Sequence, residues 1–270
     1  MDQAAIEPVG LEGGTPLSVA IAERDRDTLS LVADAAREGR VQLAFQPVVQ
    51  ARDQSRIAFY EGLARVLDRN GRAIPAKDFI DSVEAQETGR VLDCISLERG
   101  FEALVQYPDL RLSLNLSARS IGYRRWIDTL DRGLETVPDI EGRLILEITE
   151  ASAILVPELV QAFMSDLQAR GVAFAIDDFG AGHTSLRYLK DFYFDILKID
   201  GQFIRGIHED PDNQVLIAAL VSIGQHFDMF TVAESVETAR EAAYLQSMGV
   251  DCLQGYRFGA PRTSPSAAEA

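Results

Sequence analysis

Short apolar runs alternate along the chain with longer segments whose apolar residues recur every three or four positions. The short runs are rich in β-branched residues and predict β-strands, whereas the longer segments predict amphipathic helices. The predicted strands are Val41–Val49, Ile57–Leu63, Leu110–Asn115, Arg143–Ile148, Val172–Ile176, Phe194–Ile199, Met229–Ala233 and Val250–Leu253. The predicted helices are Asp27–Glu38, Ala76–Glu84, Thr88–Tyr107, Tyr123–Glu135, Pro157–Arg170, Thr184–Leu189, Pro211–Phe227 and Thr238–Met248.

The alternation of strands and helices is typical of βαβ units and of a parallel sheet. Val172–Ile176 is apolar throughout, which indicates a strand that is buried on both faces. No linker-like stretch interrupts the alternation, so the pattern favours one closed α/β barrel, with a doubly wound open sheet as the alternative.

Both ends of the chain lack this periodicity. The first residues are acidic and rich in Gly, and the last residues are small and polar. We therefore predict a flexible N-terminal segment over residues 1–20, a single barrel domain over residues 21–262 and a flexible tail over residues 263–270.

Charge and composition exclude several classes of function. The formal net charge is −16 and the pI is near 4.6, which argues against binding to polymeric nucleic acid. The longest apolar runs are shorter than the roughly 18 residues of a membrane span, and the N-terminus lacks the features of a secretory signal. Cys94 and Cys252 have no Cys or His at metal-ligand spacing and are expected to be reduced and buried. These features predict a cytoplasmic protein that does not bind membranes.

Polar residues stand at or just beyond the carboxyl ends of successive predicted strands. These residues are Glu61, Asn115, Glu147, Glu150, Asp177, Asp178, Lys198, Asp200, Glu234, Glu237 and Gln254. In a barrel of parallel strands these ends converge on one face, where active sites form.

Carboxylates that are packed together repel one another, so such a ring needs cations. Oxygen ligands favour Mg²⁺ or Mn²⁺, and the adjacent Asp177 and Asp178 suit a two-metal site for phosphoester chemistry. Taken singly, each acid can instead be a loop residue, a helix cap or a salt-bridge partner, and Asp177 and Asp178 can simply open a turn. The run of acids over successive strand ends favours the metal site.

The chain resembles the EAL-domain phosphodiesterases from about residue 40 to residue 261. The resemblance is carried by FQP (Phe45–Pro47), YEGLAR (Tyr60–Arg65), LNLS (Leu114–Ser117), LEITE (Leu146–Glu150), IDDFGAG (Ile176–Gly182), LKID (Leu197–Asp200), VAESVET (Val232–Thr238) and LQGYRFGAP (Leu253–Pro261). Each motif alone is weak, but eight in order make a specific signal. The expected fold is a single-domain (β/α)8 TIM-like barrel of the α/β class with one atypical antiparallel strand near the start.

The resemblance implies a role for each matching residue. The implied metal ligands are Glu61, Asn115, Glu147 and Asp177 for one ion, with Asp178 and Glu234 toward a second ion and both aspartates between the two. Lys198 would orient the attacking water, and the implied catalytic group is Lys198, Glu61, Asp177, Asp178 and Glu234. Gln46, Arg65, Asp200, Glu237 and Gln254 would line the substrate site, with Arg65 and Gln46 on phosphate and guanine. Glu150 would hold the loop over residues 177–189.

Some residues depart from the family pattern. Gly62 stands for the usual Ala, Val66 for Trp, His183 for an aromatic residue and Ser235 for Gly. None of these changes removes an implied ligand. The literal sequence Glu-Ala-Leu at residues 102–104 lies within a predicted helix, where Glu102 is expected to face solvent. The functional counterpart of the signature is therefore Glu61-Gly62-Leu63.

The resemblance thus implies a hydrolase of bacterial second-messenger signalling, which cleaves cyclic di-GMP to linear pGpG with two Mg²⁺ or Mn²⁺ ions and acts as a homodimer. Two alternatives are a receptor that binds cyclic di-GMP without significant turnover and a protein-interaction module. The presence of all the implied acids and of Lys198 counts against the receptor.

Overall fold

The computed structural model of the chain describes residues 16–180 and 188–265. Its first half contains α1 (Pro16–Arg37), β1 (Val41–Gln50), β2 (Ile57–Leu67), β3 (Ala73–Pro75), α2 (Ile80–Val83), α3 (Glu87–Gln106), β4 (Leu112–Asn115) and α4 (Arg124–Thr136). The second half contains β5 (Leu144–Thr149), α5 (Glu150–Leu155), α6 (Pro157–Gln168), β6 (Ala173–Phe179), β7 (Ile196–Ile199), α7 (Pro211–His226), β8 (Phe230–Ala233), α8 (Ala239–Ser247) and β9 (Cys252–Gln254).

Eight of the strands close into a barrel. The hydrogen-bonded order is β1-β9-β8-β7-β6-β5-β4-β2, and the pairing of β1 with β2 closes the ring. The pairs from β2 through β9 are parallel, whereas β1 is antiparallel to both of its neighbours. β3 adds a short antiparallel strand to the outer part of β2. The predicted TIM-like barrel with one antiparallel strand near its start is confirmed.

Alternation along each strand divides the core into two layers. On β5, Leu144, Leu146 and Ile148 pack outward in the main core between strands and helices. Ile145 points the other way, into a smaller inner cluster with residues of the other strands. The strands are therefore buried on both faces, as their near-continuous apolar sequence predicts. A third cluster packs α1 and α3 against the start of β1.

Several helix boundaries differ from the prediction. α1 begins at Pro16 rather than at Asp27, because Pro suits a first helical position and no Gly or Pro interrupts the segment that follows. The helix predicted over residues 76–84 is a 3-10 turn followed by the short α2. The predicted helix over residues 184–189 lies mainly outside the described residues, and the division of the chain into domain and flexible ends stays a prediction.

α5 was not predicted, because six residues are too few to show a helical period. Its start is instead fixed by a local cap: Thr149 accepts a hydrogen bond from the backbone N–H of Ser152. Within the described parts of the chain, no helix has the length and apolar character needed to cross a membrane. Cys94 and Cys252 are both unpaired thiols and buried.

Candidate active site

The inner layer of the barrel ends in a ring of polar side chains at the carboxyl ends of the parallel strands, which we call the mouth. An apolar residue of the inner cluster is followed two positions later by a polar residue, because side chains i and i+2 of a strand share a face. The pairs are Phe59 and Glu61, Ile145 and Glu147, Ala175 and Asp177, Ile196 and Lys198, Val232 and Glu234, and Cys252 and Gln254. On the antiparallel β1 the order is reversed, so Gln46 precedes Val48.

The Lys198 ammonium lies at the centre of this mouth and is 1% exposed. Its Nζ donates to Glu147 Oε2 at 2.6 Å and lies 2.8 Å from Glu234 Oε1, 3.0 Å from Asp177 Oδ1 and 3.6 Å from Glu61 Oε2. The structure therefore brings together four of the acids that the sequence analysis singled out, although they span more than half of the chain.

The close packing of acids around Lys198 shifts the pKa values of Glu147, Glu234 and Lys198. Burial raises the pKa of Glu147 to about 8; Lys198 opposes this effect, and repulsion from Glu61 and Asp177 adds to it. Burial also raises the pKa of Glu234 well above its usual range. Burial by itself would lower the pKa of Lys198, but the attraction of the surrounding acids raises it well above its ordinary value. The mouth thus holds more acids than its one lysine can pair with as carboxylates, and the raised pKa values favour protonation of Glu147 and Glu234.

A bulge in β6 lets two adjacent residues serve the same site. The pairing of β6 with β7 shifts register between Ile176 and Phe179, and Asp178 has a positive φ of 54°. In a regular strand Asp177 and Asp178 would point to opposite faces, and the bulge breaks this alternation. Carboxylate oxygens of Asp177, Asp178 and Glu234 consequently lie within 4.8 Å of one another. The prediction that both aspartates follow the strand is wrong, because they lie inside it.

Asp178 is itself perturbed by this crowding. Burial raises the pKa of Asp178 to about 6, and the charges of Asp177 and Asp200 raise it further. Asp178, Asp177 and the nearby Asp200 place three acids in a small volume, which is the arrangement expected around a multivalent cation.

Amide side chains hold Glu61 in place beside the lysine. Gln254 Nε2 donates to Glu61 Oε2 at 2.5 Å, and Asn115 Nδ2 donates to Glu61 Oε1 at 3.1 Å. Gln254 Nε2 also lies 3.4 Å from Gln46 Oε1, and Gln46 pairs with Glu61 across the two antiparallel strands. Gln46, Asn115 and Gln254 therefore belong to the same mouth.

Glu61 was predicted to lie near the end of its strand, and this prediction is wrong. β2 continues to Leu67, because beyond Gly62 it pairs with the antiparallel β1 and β3 instead of with β4. Arg65 lies four residues further along the same face of β2, about 13 Å above Glu61. It is partly buried, and burial lowers its pKa, while Glu61 and Tyr256 oppose that shift.

The remaining predicted residues lie at the periphery. Asp200 caps a 3-10 turn by accepting from the backbone N–H of Gln202 at 2.6 Å. Glu237 is exposed, and its backbone N–H donates to Glu241. In the described part of the chain, no hydrogen bond or ion pair joins either carboxylate to Lys198 or to its four acids. Tyr256, which sequence reasoning missed, is 65% exposed near Arg65; its position two residues after Gln254 was the available signal.

The donor set fits hard divalent cations. The four acids around Lys198 together with Asp178 and the Asn115 amide offer oxygen ligands, which Mg²⁺ and Mn²⁺ prefer. Two buried oxygens at the mouth, Glu147 Oε1 and Gln254 Oε1, accept no hydrogen bond from any described group. A buried carboxylate oxygen without a donor is costly, and a bound cation would remove that cost.

Comparison with known proteins decides the family. The sequence profile described as the EAL domain matches residues 31–261. The chain is an EAL domain. It is 32% identical over 241 residues to the signaling protein YkoW of Bacillus subtilis, and the aligned residues cover 86% of this chain and 29% of YkoW. It is 30% identical over 235 residues to the probable cyclic di-GMP phosphodiesterase PdeN of Escherichia coli, and the aligned residues cover 85% of this chain and 45% of PdeN. The EAL domain thus spans less than half the length of these curated relatives.

Solved structures agree with the barrel. The phosphodiesterase PaMucR in complex with c-di-GMP has a TM-score of 0.76 at 29% identity, and the alignment covers 87% of this chain and 97% of that one. The FimX EAL domain from Pseudomonas aeruginosa has a TM-score of 0.80 at 23% identity, with 88% and 97% of the two chains covered. The second likeness shows the fold alone.

Two of the unusual residues of this EAL domain have clear structural surroundings. A Cβ atom on Gly62 would lie 2.7 Å from Leu114 Cδ2, and one on Gly100 would lie 2.5 Å from Leu114 Cδ1, so Leu114 fills the space that both glycines leave. Val66 is fully buried with α1 and α3, on the face of β2 away from Arg65. The loss of the usual aromatic residue therefore alters the outer core rather than the mouth.

Glu150 lies at the expected place for an acid that holds a loop of the EAL domain. It is buried at the start of α5, and its Oε2 lies 3.4 Å from the backbone N of Gly180, just past β6. Residues 181–187, including His183, lie outside the described residues, so the role of Glu150 toward the rest of that loop stays a prediction.

Glu102, in the literal Glu-Ala-Leu sequence, is exposed on α3 and pairs with Arg99 at 2.7 Å.

Proposed function

We propose that this EAL domain is a phosphodiesterase that hydrolyses cyclic di-GMP to linear pGpG with two Mg²⁺ or Mn²⁺ ions. The observation that carries the proposal is the buried Lys198 with four carboxylate oxygens within 3.6 Å at the barrel mouth. The likeness to PdeN and to PaMucR supports cyclic di-GMP as the substrate.

Each residue of the mouth has a proposed task. Glu61, Asn115, Glu147 and Asp177 would hold one ion, and Asp178 and Glu234 would hold the second together with Asp177. When bound, the two ions would lower the pKa of water and offset the charge that develops on the phosphodiester. Lys198 would orient the attacking water through its N–H donors.

The remaining residues would bind the substrate or support the site rather than hold the ions. Arg65, above Glu61 on the same face of β2, would contact a phosphate with its planar guanidinium. Gln46, beside Glu61, would contact guanine. Asp200 and Glu237 would line the outer part of the site, and Gln254 would keep Glu61 in position.

Turnover of cyclic di-GMP by the purified chain with Mn²⁺, followed by chromatography of the products, tests the proposal. We expect pGpG from the wild type and a loss of at least about 100-fold in rate for Glu61→Gln. Glu102→Gln is the matched control, because it changes the exposed acid of the literal Glu-Ala-Leu sequence, and it is expected to keep full activity. Binding without cleavage would instead support a receptor, and absence of binding would leave an interaction module.

We further propose that the domain works in the cytoplasm as a homodimer. The two buried thiols fit a reducing compartment. Sedimentation velocity and turnover, measured over the same range of protein concentrations, test the dimer: a monomer with undiminished specific activity would contradict it.

A further inference from the structure

The loop that follows Asn115, the last residue of β4, is anchored from outside the barrel by Asp93 of α3. Oδ2 of Asp93 accepts a hydrogen bond from Ser120 Oγ at 2.6 Å and from the backbone N–H of Ser117 at 3.3 Å. Ser117 follows Asn115 by two residues and caps the 3-10 turn over residues 118–120. Asp93 therefore fixes both ends of the short segment that leaves the barrel mouth.

Asp93 is partly buried, no ion pair joins it to a cation among the described residues, and its environment disfavours its charge. Burial raises the pKa of Asp93 to about 7; the hydrogen bonds from Ser120 and Ser117 oppose this shift, and the Glu84 carboxylate adds to it. Its contacts with the loop are thus the interactions that offset the cost of placing a carboxyl group there.

Asn115, which directly precedes this loop, contacts an acid of the mouth. Asn115 Nδ2 donates to Glu61 Oε1 at 3.1 Å, and its Cα pairs with that of Glu147 on the neighbouring strand. Asn115 is the last residue of β4, and the loop that Asp93 anchors starts directly after it.

We infer that Asp93 is a positioning residue for metal binding: through Ser117 and Ser120 it keeps the Asn115 amide at the cation site. The inference rests on the proposed function, because it uses Asn115 as a metal ligand. Removal of a group that orients a metal ligand lowers metal affinity by about 10–100-fold.

A second anchor makes the inference testable in a folded protein. The backbone N–H of Ala118 donates to Ser152 Oγ of α5 at 2.8 Å. Loss of Asp93 is therefore expected to let the loop shift without releasing it from the barrel.

The chain offers a matched control at the opposite end of the barrel. Asp251 also accepts one backbone N–H and one hydroxyl through Oδ2, both from Thr231, at 2.9 and 2.8 Å. Thr231 lies near the start of β8, about 10 Å along the strand from Glu234. Asp251→Ala removes the same kind of anchor as Asp93→Ala but at the face of the barrel opposite the candidate site.

The experiment measures the dissociation constant for Mn²⁺ by electron paramagnetic resonance of the free ion at pH 8, with thermal unfolding as the check on folding. We expect binding to weaken by about 10-fold or more in Asp93→Ala. Asp93→Asn is expected to stay within about twofold of the wild type, because its amide oxygen can accept both hydrogen bonds in place of Oδ2. Asp251→Ala is expected to lower the unfolding temperature and leave Mn²⁺ affinity unchanged.

A double-mutant cycle shows whether the effect passes through Asn115. In an Asn115→Ala background, Asp93→Ala is expected to weaken binding no further. The inference is overturned if Asp93→Ala binds Mn²⁺ as Asp251→Ala does, if its full effect persists without the Asn115 amide, or if Asn115→Ala alone leaves the affinity unchanged. A wild type that binds Mn²⁺ but does not cleave cyclic di-GMP would contradict the proposed hydrolysis. The effect of Asp93→Ala on Mn²⁺ affinity could still be measured in that case.

Discussion

Replacement of Lys198 by Met tests the electrostatic organisation of the mouth directly. Met has a similar length but no charge, so the substitution leaves the acids of the mouth without their buried cation. The closest of them, Glu147 Oε2 at 2.6 Å, belongs to a side chain that is fully buried. Removal of one partner from a buried ion pair costs about 3–5 kcal/mol, and Glu234 and Asp177 lose their contacts as well. We therefore expect the free energy of unfolding to fall by about 3–5 kcal/mol.

Divalent cations should offset much of this loss. A ligand at about 100 times its dissociation constant stabilises the native state by about 2.7 kcal/mol. In Lys198→Met a bound ion would supply the positive charge that the ammonium provided, so Mn²⁺ is expected to stabilise the variant more than the wild type. Turnover of cyclic di-GMP should nonetheless fall by at least about 100-fold, because no N–H donor remains to orient the water.

Urea denaturation with and without Mn²⁺ measures the stability, and chromatography of the products measures turnover. Lys77→Met is the matched control, since it makes the same change at an exposed position. Equal stability of the two variants, or a smaller gain from Mn²⁺ in Lys198→Met than in the wild type, would refute this account of the mouth.

Three further changes probe positions around the site and in the core. Ser235 has a positive φ of 56°, so Ser235→Gly should stabilise the fold by about 1 kcal/mol in urea denaturation; a loss of stability would show that the hydroxyl matters more than the backbone. Arg143 donates to four backbone carbonyl groups, and Arg143→Met should cost about 2–4 kcal/mol, whereas Arg124→Met, at an exposed ion pair, should change stability by less than about 0.5 kcal/mol. For Asp93, the raised native pKa means that the native state keeps a proton that the unfolded chain has lost between pH 4 and pH 7. The stability of the wild type relative to Asp93→Asn should therefore decrease by about 4 kcal/mol over that range and then level off, and a pH-independent difference would contradict this.

The pattern of apolar and polar residues predicts the barrel and most of the candidate site. Apolar runs of the right length marked the eight barrel strands, although β2 proved longer than predicted. The acids that follow those runs identified Glu61, Glu147 and Glu234, because a two-residue period ties a polar residue at the mouth to an inner apolar residue. This information is local, and local patterns are what a sequence displays.

How these residues face one another depends on contacts between distant parts of the chain. The bulge that turns Asp178 toward Glu234 depends on the register between β6 and β7, and the contact of Gln254 with Glu61 depends on closure of the ring through β1. Asp93 lies on a helix outside the barrel, where nothing in its sequence neighbourhood indicates that it reaches the loop after β4. Register, closure and contacts between distant elements follow from packing of the whole chain, and for that reason no local pattern records them.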